Sequence, residues 1–278
     1  LRASPTAPRS SLFPPTQATR VLATTPPQYR VGGIGRMPHP ELFLAYRLQD
    51  IGGYESLYPG RVRRLYAAID GEGSNYMIAT MFEGRRFNHG LADLLGVRLV
   101  YTDPGGVLPA WTRPVSSSDL VIAENPQALP RLFFVPDHEV LEGQDAVIAR
   151  MTGPTFDPRR AVLLDAPPAR LPGGNPSSGQ ARIDLTRQRP EALEVKASLA
   201  RPGWIVFTES SYPGWRARLD GRDVPIETAY AALMAVAVPS GEHQLELVFD
   251  PPLQRWGVAV SALAWGVAAL LVLMPRRR

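Results

Sequence analysis

The fold is decided by two short stretches in which apolar and polar residues alternate, ARIDLT at residues 181–186 and LEVKAS at residues 193–198. Successive side chains of a β-strand point to opposite faces, so this alternation is typical of a strand with one buried face. Similar patterns predict further strands at 204–209, 215–219, 224–227, 233–238 and 244–250. About seven short strands at regular spacing predict an antiparallel β-sandwich.

Turn residues and linkers set the limits of this sandwich. Asp220-Gly221 is a strong hairpin signal because a type I′ turn requires positive φ at both central residues. Residues 239–242 predict a second turn. Residues 166–179 are rich in Pro, Gly and Ser and predict a linker between two domains. The sandwich domain is therefore assigned to residues 180–252.

The chain before this linker mixes short helical and strand patterns. Residues 29–165 predict a small mixed α/β domain. Residues 1–28 are rich in Pro, Ser, Thr and Ala and predict an extended linker. The predicted fold class is α+β, with a mixed α/β domain, an antiparallel β-sandwich and a C-terminal helix.

That C-terminal helix is predicted at residues 255–275 and is predicted to be transmembrane. Trp256–Met274 contains no charged residue, and about 20 apolar residues match a hydrocarbon core of about 30 Å. The Arg tail at 276–278 predicts a cytoplasmic C-terminus in the cell inner membrane, with residues 1–254 extracytoplasmic. We expect at least one further membrane segment before Leu1, because such a polar segment requires a signal for translocation. The alternative is a soluble enzyme in which this helix is part of the core.

Composition excludes several functions. The formal net charge is +4, and the Arg residues are scattered among acids without a basic stripe, so nucleic acid is not an expected partner. The absence of Cys excludes disulfides and thiolate ligands. The four His residues lack the spacing of metal ligands, so we expect no metal and no cofactor.

Aromatic residues give the only candidate binding site. Tyr212 and Trp215 flank a Pro-Gly turn, and Tyr54 and Tyr58 flank a Gly-Gly turn. These four rings are candidates for stacking on a sugar, and the alternative is that they anchor the turns structurally. Asp50 and Glu55 are either a carboxylate pair or turn residues. The sequence contains no recognisable catalytic constellation.

Four blocks of sequence carry a family resemblance. They are DIGGYESLYP at 50–59, LGVRLVY at 95–101, ENPQALPR at 124–131, and ESSYPGW at 209–215 together with the following LDG at 219–221, VPI at 224–226 and AVAVPSGEH at 235–243. In this order they resemble the C-terminal region of the bacterial YfhO family, over about residues 29–274.

The resemblance implies a polytopic membrane glycosyltransferase of the GT-C type. Such proteins are thought to move a sugar from a polyprenyl-phosphate carrier to a cell-envelope glycopolymer, for example a teichoic acid. The catalytic carboxylate of that class lies in an early extracytoplasmic loop that this sequence does not contain, so the resemblance assigns no catalytic residue here. The expected role of this region is to cap the membrane site or to position the acceptor. The alternative is a non-enzymatic, membrane-anchored envelope scaffold or glycan-binding protein.

Overall fold

The computed structural model describes residues 8–35, 40–53, 59–70, 75–76, 79–80, 82, 87–117, 119–189 and 191–273. Its helices are α1 (Arg9–Leu12), α2 (Gln17–Leu22), a 3₁₀ helix (Pro40–Tyr46), α3 (Gly60–Asp70), α4 (His89–Leu94), α5 (Gly143–Thr152) and α6 (Pro252–Leu273). The strands of the N-terminal half are β1 (Arg30–Ile34), β2 (Asn75–Tyr76), β3 (Ala79–Thr80), β4 (Val97–Thr102), β5 (Arg113–Ser117), β6 (Val121–Glu124), β7 (Leu132–Val135), β8 (Asp137–Val140) and β9 (Ala161–Leu164). The later strands are β10 (Arg182–Arg189), β11 (Ala192–Leu199), β12 (Gly203–Ser210), β13 (Trp215–Leu219), β14 (Arg222–Val224), β15 (Glu227–Ala229), β16 (Leu233–Val238) and β17 (Gly241–Phe249).

The α+β fold class is confirmed, with most strands in three sheets. A four-stranded sheet has the order β1-β4-β6-β5, and β1 and β4 are parallel. A five-stranded sheet has the order β10-β11-β17-β13-β14, and a six-stranded sheet has the order β7-β12-β16-β15-β9-β8. The latter two sheets face each other as the predicted sandwich. They enclose one apolar cluster that includes Val195, Phe207, Val236 and Leu245.

The sandwich also uses strands from the first half of the chain. β7, β8 and β9 complete the six-stranded sheet, so its pairing crosses the segment at 166–179. The domain boundaries given above stay predictions. The strand predicted at 224–227 is in fact two strands, because Pro225 has no N–H to donate. β14 pairs with β13 in one sheet, and β15 pairs with β16 in the other.

The centre of the molecule is a sheet that is buried on both faces. All six residues of β16 are buried, as are the first six residues of β12. Ile205 and Phe207 face the interior of the sandwich. Trp204 and Val206 face the opposite side, where they join a larger cluster with α3, α4 and α5. Strands buried on both faces have continuous apolar sequences, which explains the runs WIVF and LMAVAV.

The N-terminal segment packs against the four-stranded sheet. Thr16 caps α2 by accepting a hydrogen bond from the Thr19 N–H group at 3.2 Å. Ala18 and Leu22 of α2 are buried against Val31 and Tyr101. Part of the stretch predicted as an extended linker at 1–28 is therefore helical and contributes to a core.

The C-terminal helix α6 leaves the sandwich directly after β17. Leu263 and Trp265, at described positions of α6, are exposed. Within the part of the chain that the structure describes, no helix meets the length and apolarity that a membrane span requires. The structure therefore gives no support to the transmembrane helix predicted at 255–275. Residues 276–278 lie outside the described residues.

Candidate functional site: a groove beside Trp215

The structure brings two of the four predicted aromatic residues together. Tyr212 and Trp215 both pack against Phe249. Their ring centroids lie 6.4 Å and 5.3 Å, respectively, from the centroid of the Phe249 ring. Gly214 separates them and has a φ of +119°, a conformation that L side chains rarely adopt. Tyr212 is 52% exposed, whereas Trp215 is half-buried. The other two candidates, Tyr54 and Tyr58, lie outside the described residues.

Trp215 forms one wall of an open groove between the N-terminal half and the sandwich. Seven residues line this Trp215 groove: Gln49, Arg131, Gln188, Arg189, Leu193, Glu209 and Trp215. Its volume is about 560 Å³. A second hollow of about 550 Å³ shares Arg131, Glu209, Gln188 and Leu193 with the groove and continues along β10. The volume and the mixture of an aromatic ring with polar groups suit a small polar ligand.

A cluster of charged residues forms the floor of the groove. The Arg131 guanidinium is ion-paired with Glu209 and donates a hydrogen bond to the Gln49 side-chain oxygen. Arg30 approaches the same carboxylate, at 3.7 Å from Nη2 to Oε1. Burial, together with the nearby charge of Arg30, lowers the pKa of Arg131 to about 10. Two guanidinium groups thus share one carboxylate.

An irregularity in the backbone of β12 positions the charged groups of the groove floor. The pairing of β12 with β16 shifts register between Phe207 and Ser210, as in a β-bulge, and this irregularity includes Thr208 and Glu209. Arg30 fixes the distorted backbone by donating hydrogen bonds to the Thr208 hydroxyl (2.6 Å) and the Thr208 carbonyl (2.9 Å). Thr208 donates its own N–H to the Arg131 carbonyl at 2.9 Å. The floor is therefore built from three segments that are distant in sequence.

Prediction from the sequence missed Gln49, Arg131 and Glu209 as groove residues. Arg131 and Glu209 are end residues of two blocks that carry the family resemblance, ENPQALPR and ESSYPGW. Their presence in these two blocks was the only feature of the sequence that indicated a functional role. Their pairing depends on the way in which β7 and β12 meet, which the local sequence does not reveal.

A second polar cluster lies near α4. The His89 ring stacks on Trp111 with centroids 4.6 Å apart, and Nε2 is 3.4 Å from Oδ1 of Asp93. Buried Asn125 donates a hydrogen bond to Asp93 at 2.7 Å. Burial raises the pKa of Asp93, although the hydrogen bond from Asn125 opposes this effect. Among the described residues, no group of three or more acidic or His side chains is arranged to hold a metal ion.

Asp50, a residue considered above as half of a carboxylate pair, lies in the interior of the N-terminal half. It accepts hydrogen bonds from the Tyr101 hydroxyl and, at 2.7 Å, from the Gly52 N–H group. Burial raises the pKa of Asp50 to about 7, against the effect of both hydrogen bonds. The possible partner Glu55 lies outside the described residues.

The two facing sheets and the Trp215 groove define the chain as an α+β module with a β-sandwich and a polar-aromatic groove. Residues 179–261 match the family model described as "Bacterial membrane protein YfhO". This match confirms the resemblance to the YfhO family and supports an association of the chain with a bacterial membrane. It covers the sandwich strands from β10 onward and the first part of α6. No curated protein and no solved structure matches the chain.

Proposed function

We propose that this chain is the extracytoplasmic C-terminal part of an integral membrane glycosyltransferase. The parent protein would move a sugar from a polyprenyl-phosphate carrier to a cell-envelope glycopolymer. In this proposal residues 1–254 lie outside the cytoplasm and the Arg tail at 276–278 lies inside. The family match and the charge asymmetry around the apolar C-terminal segment support this placement.

The role of this part is to position the glycan acceptor in the Trp215 groove. The observation that carries the proposal is the arrangement of Trp215 beside Arg131, Glu209 and Gln49. An aromatic face binds the apolar side of a sugar ring, and the fixed donors and acceptors around it bind hydroxyl groups. Because Arg30 and Arg131 share one carboxylate, the groove also favours an acceptor with negative charge.

Transfer by the intact parent protein tests this role. We expect Trp215→Ala to raise the KM for the acceptor by roughly tenfold, equivalent to about 1.4 kcal/mol, since it removes one stacking face. The KM for the lipid-linked donor should not change. Val107→Ala is the control, because Val107 is exposed in the N-terminal half and does not line the groove.

Removal of residues 29–250 gives the decisive result. A truncated protein that glycosylates its native polymer as fast as the intact protein does would overturn the positioning role. If the intact protein binds the polymer but transfers no sugar, the glycan-binding scaffold is the correct function.

A further inference from the structure

The end of the sandwich from which α6 leaves exposes aromatic and aliphatic side chains beside the charged Arg189 and Glu191. At the end from which α6 leaves, Tyr212, Leu253 and Trp256 are 52%, 82% and 71% exposed. At the opposite end, the turn before β14 and the first residues of β14 and β17 expose charged side chains, namely Asp220, Arg222, Asp223 and Glu242. We call the first end the base of the sandwich. Contiguous exposed aromatic and aliphatic groups mark a surface that has a partner.

The strand register fixes the distance between the two ends. Trp215 at the base pairs with Phe249, and Leu219 at the other end of β13 pairs with Leu245. At about 3.4 Å per residue, these two positions of β13 are about 14 Å apart. The charged turns therefore lie well away from the plane in which α6 begins.

The turn that carries Tyr212 is fixed to the start of α6. The Asp250 N–H group donates a hydrogen bond to the Gly214 carbonyl at 2.7 Å. A Cβ atom on Gly214 would lie 3.0 Å from Pro251, the residue immediately before the helix. Because this turn contacts the residues just before α6, Tyr212 lies on the same end of the sandwich as the start of α6.

We propose that the base of the sandwich docks on the interfacial region of a lipid bilayer, with the Tyr212 ring at the level of the headgroups. This inference rests on the proposed function, in which α6 enters the membrane. Tyr and Trp rings concentrate at membrane interfaces because one part of the ring is apolar and the other forms hydrogen bonds. The exposed rings of Tyr212 and Trp256 and the side chain of Leu253 form such a surface around the root of α6.

Docking at the base gives the two aromatic candidates different roles. Tyr212 contacts lipid, whereas Trp215 faces the groove. The groove opens at the base as well, because Trp215 is the first residue of β13 and Arg189 is the last residue of β10, where it pairs with Ala192. The acceptor is then held close to the membrane surface, where a lipid-linked donor carries its sugar.

Single-cysteine variants of the intact protein, with every Cys outside this chain replaced by Ser, test the docking directly, because the chain itself contains no Cys. Tyr212→Cys reports on the base, Arg222→Cys on the opposite end and Val260→Cys on α6. Each variant is labelled with a small fluorophore and reconstituted in vesicles of phosphatidylethanolamine and phosphatidylglycerol. Emission is measured with aqueous iodide, with headgroup-labelled nitroxide lipid and with lipid brominated in mid-chain.

We expect the label at 212 to be quenched by the headgroup nitroxide and to show an iodide quenching constant at least about threefold below that of the label at 222. The label at 260 should respond to the brominated lipid. A second outcome is that iodide quenches the labels at 212 and 222 equally while brominated lipid quenches the label at 260. That result would show that the docking proposal is wrong and that the membrane placement of α6 is correct. If the label at 260 does not respond to lipid, both docking and the proposed membrane placement are wrong.

Discussion

Replacement of Asp50 by Asn should make the protein more stable at alkaline pH. The Asp50 carboxyl accepts hydrogen bonds from the Tyr101 hydroxyl and the Gly52 N–H group, but burial raises its pKa from 3.8 to about 7. At a pH between these two pKa values, the Asp50 carboxyl is therefore protonated in the folded protein and ionised in the unfolded chain. The stability that this proton provides is fully present below pH 3.8 and is lost as the pH rises through about 7.

The size of the effect follows from this change in pKa. At about 1.36 kcal/mol per pKa unit, the rise corresponds to about 4 kcal/mol lost by pH 8, as an upper value. Asp50 retains some contact with solvent, so we expect about 2 to 4 kcal/mol. The amide introduced by Asp50→Asn would preserve the shape and the acceptor for Gly52, and it never carries a charge. The variant should therefore match the wild type near pH 4 and exceed it at pH 8.

Urea denaturation followed by tryptophan fluorescence measures this difference at pH 4, 6 and 8. The relevant quantity is the difference in the free energy of unfolding between the Asp50→Asn variant and the wild type at each pH, because other titrating groups cancel. Asp223→Asn is the control, since Asp223 is exposed and paired with Arg218 at 3.0 Å. A constant difference between Asp50→Asn and wild type across this range would refute the reasoning.

Four further substitutions test the packing and the turns, with urea or thermal unfolding as the measurement. Trp204→Ala should cost about 3 to 5 kcal/mol, because the ring is fully buried between two layers; a cost near zero would contradict that burial. Gly33→Ala should cost about 1 to 3 kcal/mol, since its Cβ would lie 2.5 Å from the Tyr101 hydroxyl oxygen. Gly60→Ala, at the first residue of α3 and with open space around it, should instead stabilise by about 0.5 kcal/mol. Asp220→Ala should cost about 1 kcal/mol, because Asp220 accepts hydrogen bonds from the Gln244 N–H group and from His243 when that ring carries the proton on Nδ1; an unchanged midpoint would refute this role.

The local pattern of the sequence predicted the sandwich strands well, because alternation and turn residues act over a few positions. Asp220-Gly221 has the expected positive φ at both residues, 51° and 77°. The same reasoning did not find β7, β8 and β9 in the second sheet, because their partners lie far along the chain. The continuous apolar runs at 204–207 and 233–238 were the available sign of a sheet that is covered on both faces.

The candidate site was predictable only in its aromatic part. Trp215 stands out because a large ring follows a Pro-Gly turn, whereas Arg131 and Glu209 look like ordinary charged residues in their local sequence. Their role arises from a long-range ion pair, across 78 positions of sequence. Partial burial of this pair distinguishes it from the exposed ion pairs of the sandwich surface, such as Arg182 with Asp184.

The central strand β12 connects the stability of the molecule with the geometry of the groove. Its first six residues are buried on both faces, and the irregularity at its end places Glu209 on the groove floor. Two arginines from the N-terminal half, Arg30 and Arg131, are then oriented by that carboxylate and by the Thr208 backbone. A site built on a strand of this kind loses little conformational entropy when a ligand binds, because its polar groups are already fixed. Damage to the core below β12 should therefore weaken binding in the groove even where no groove residue is changed.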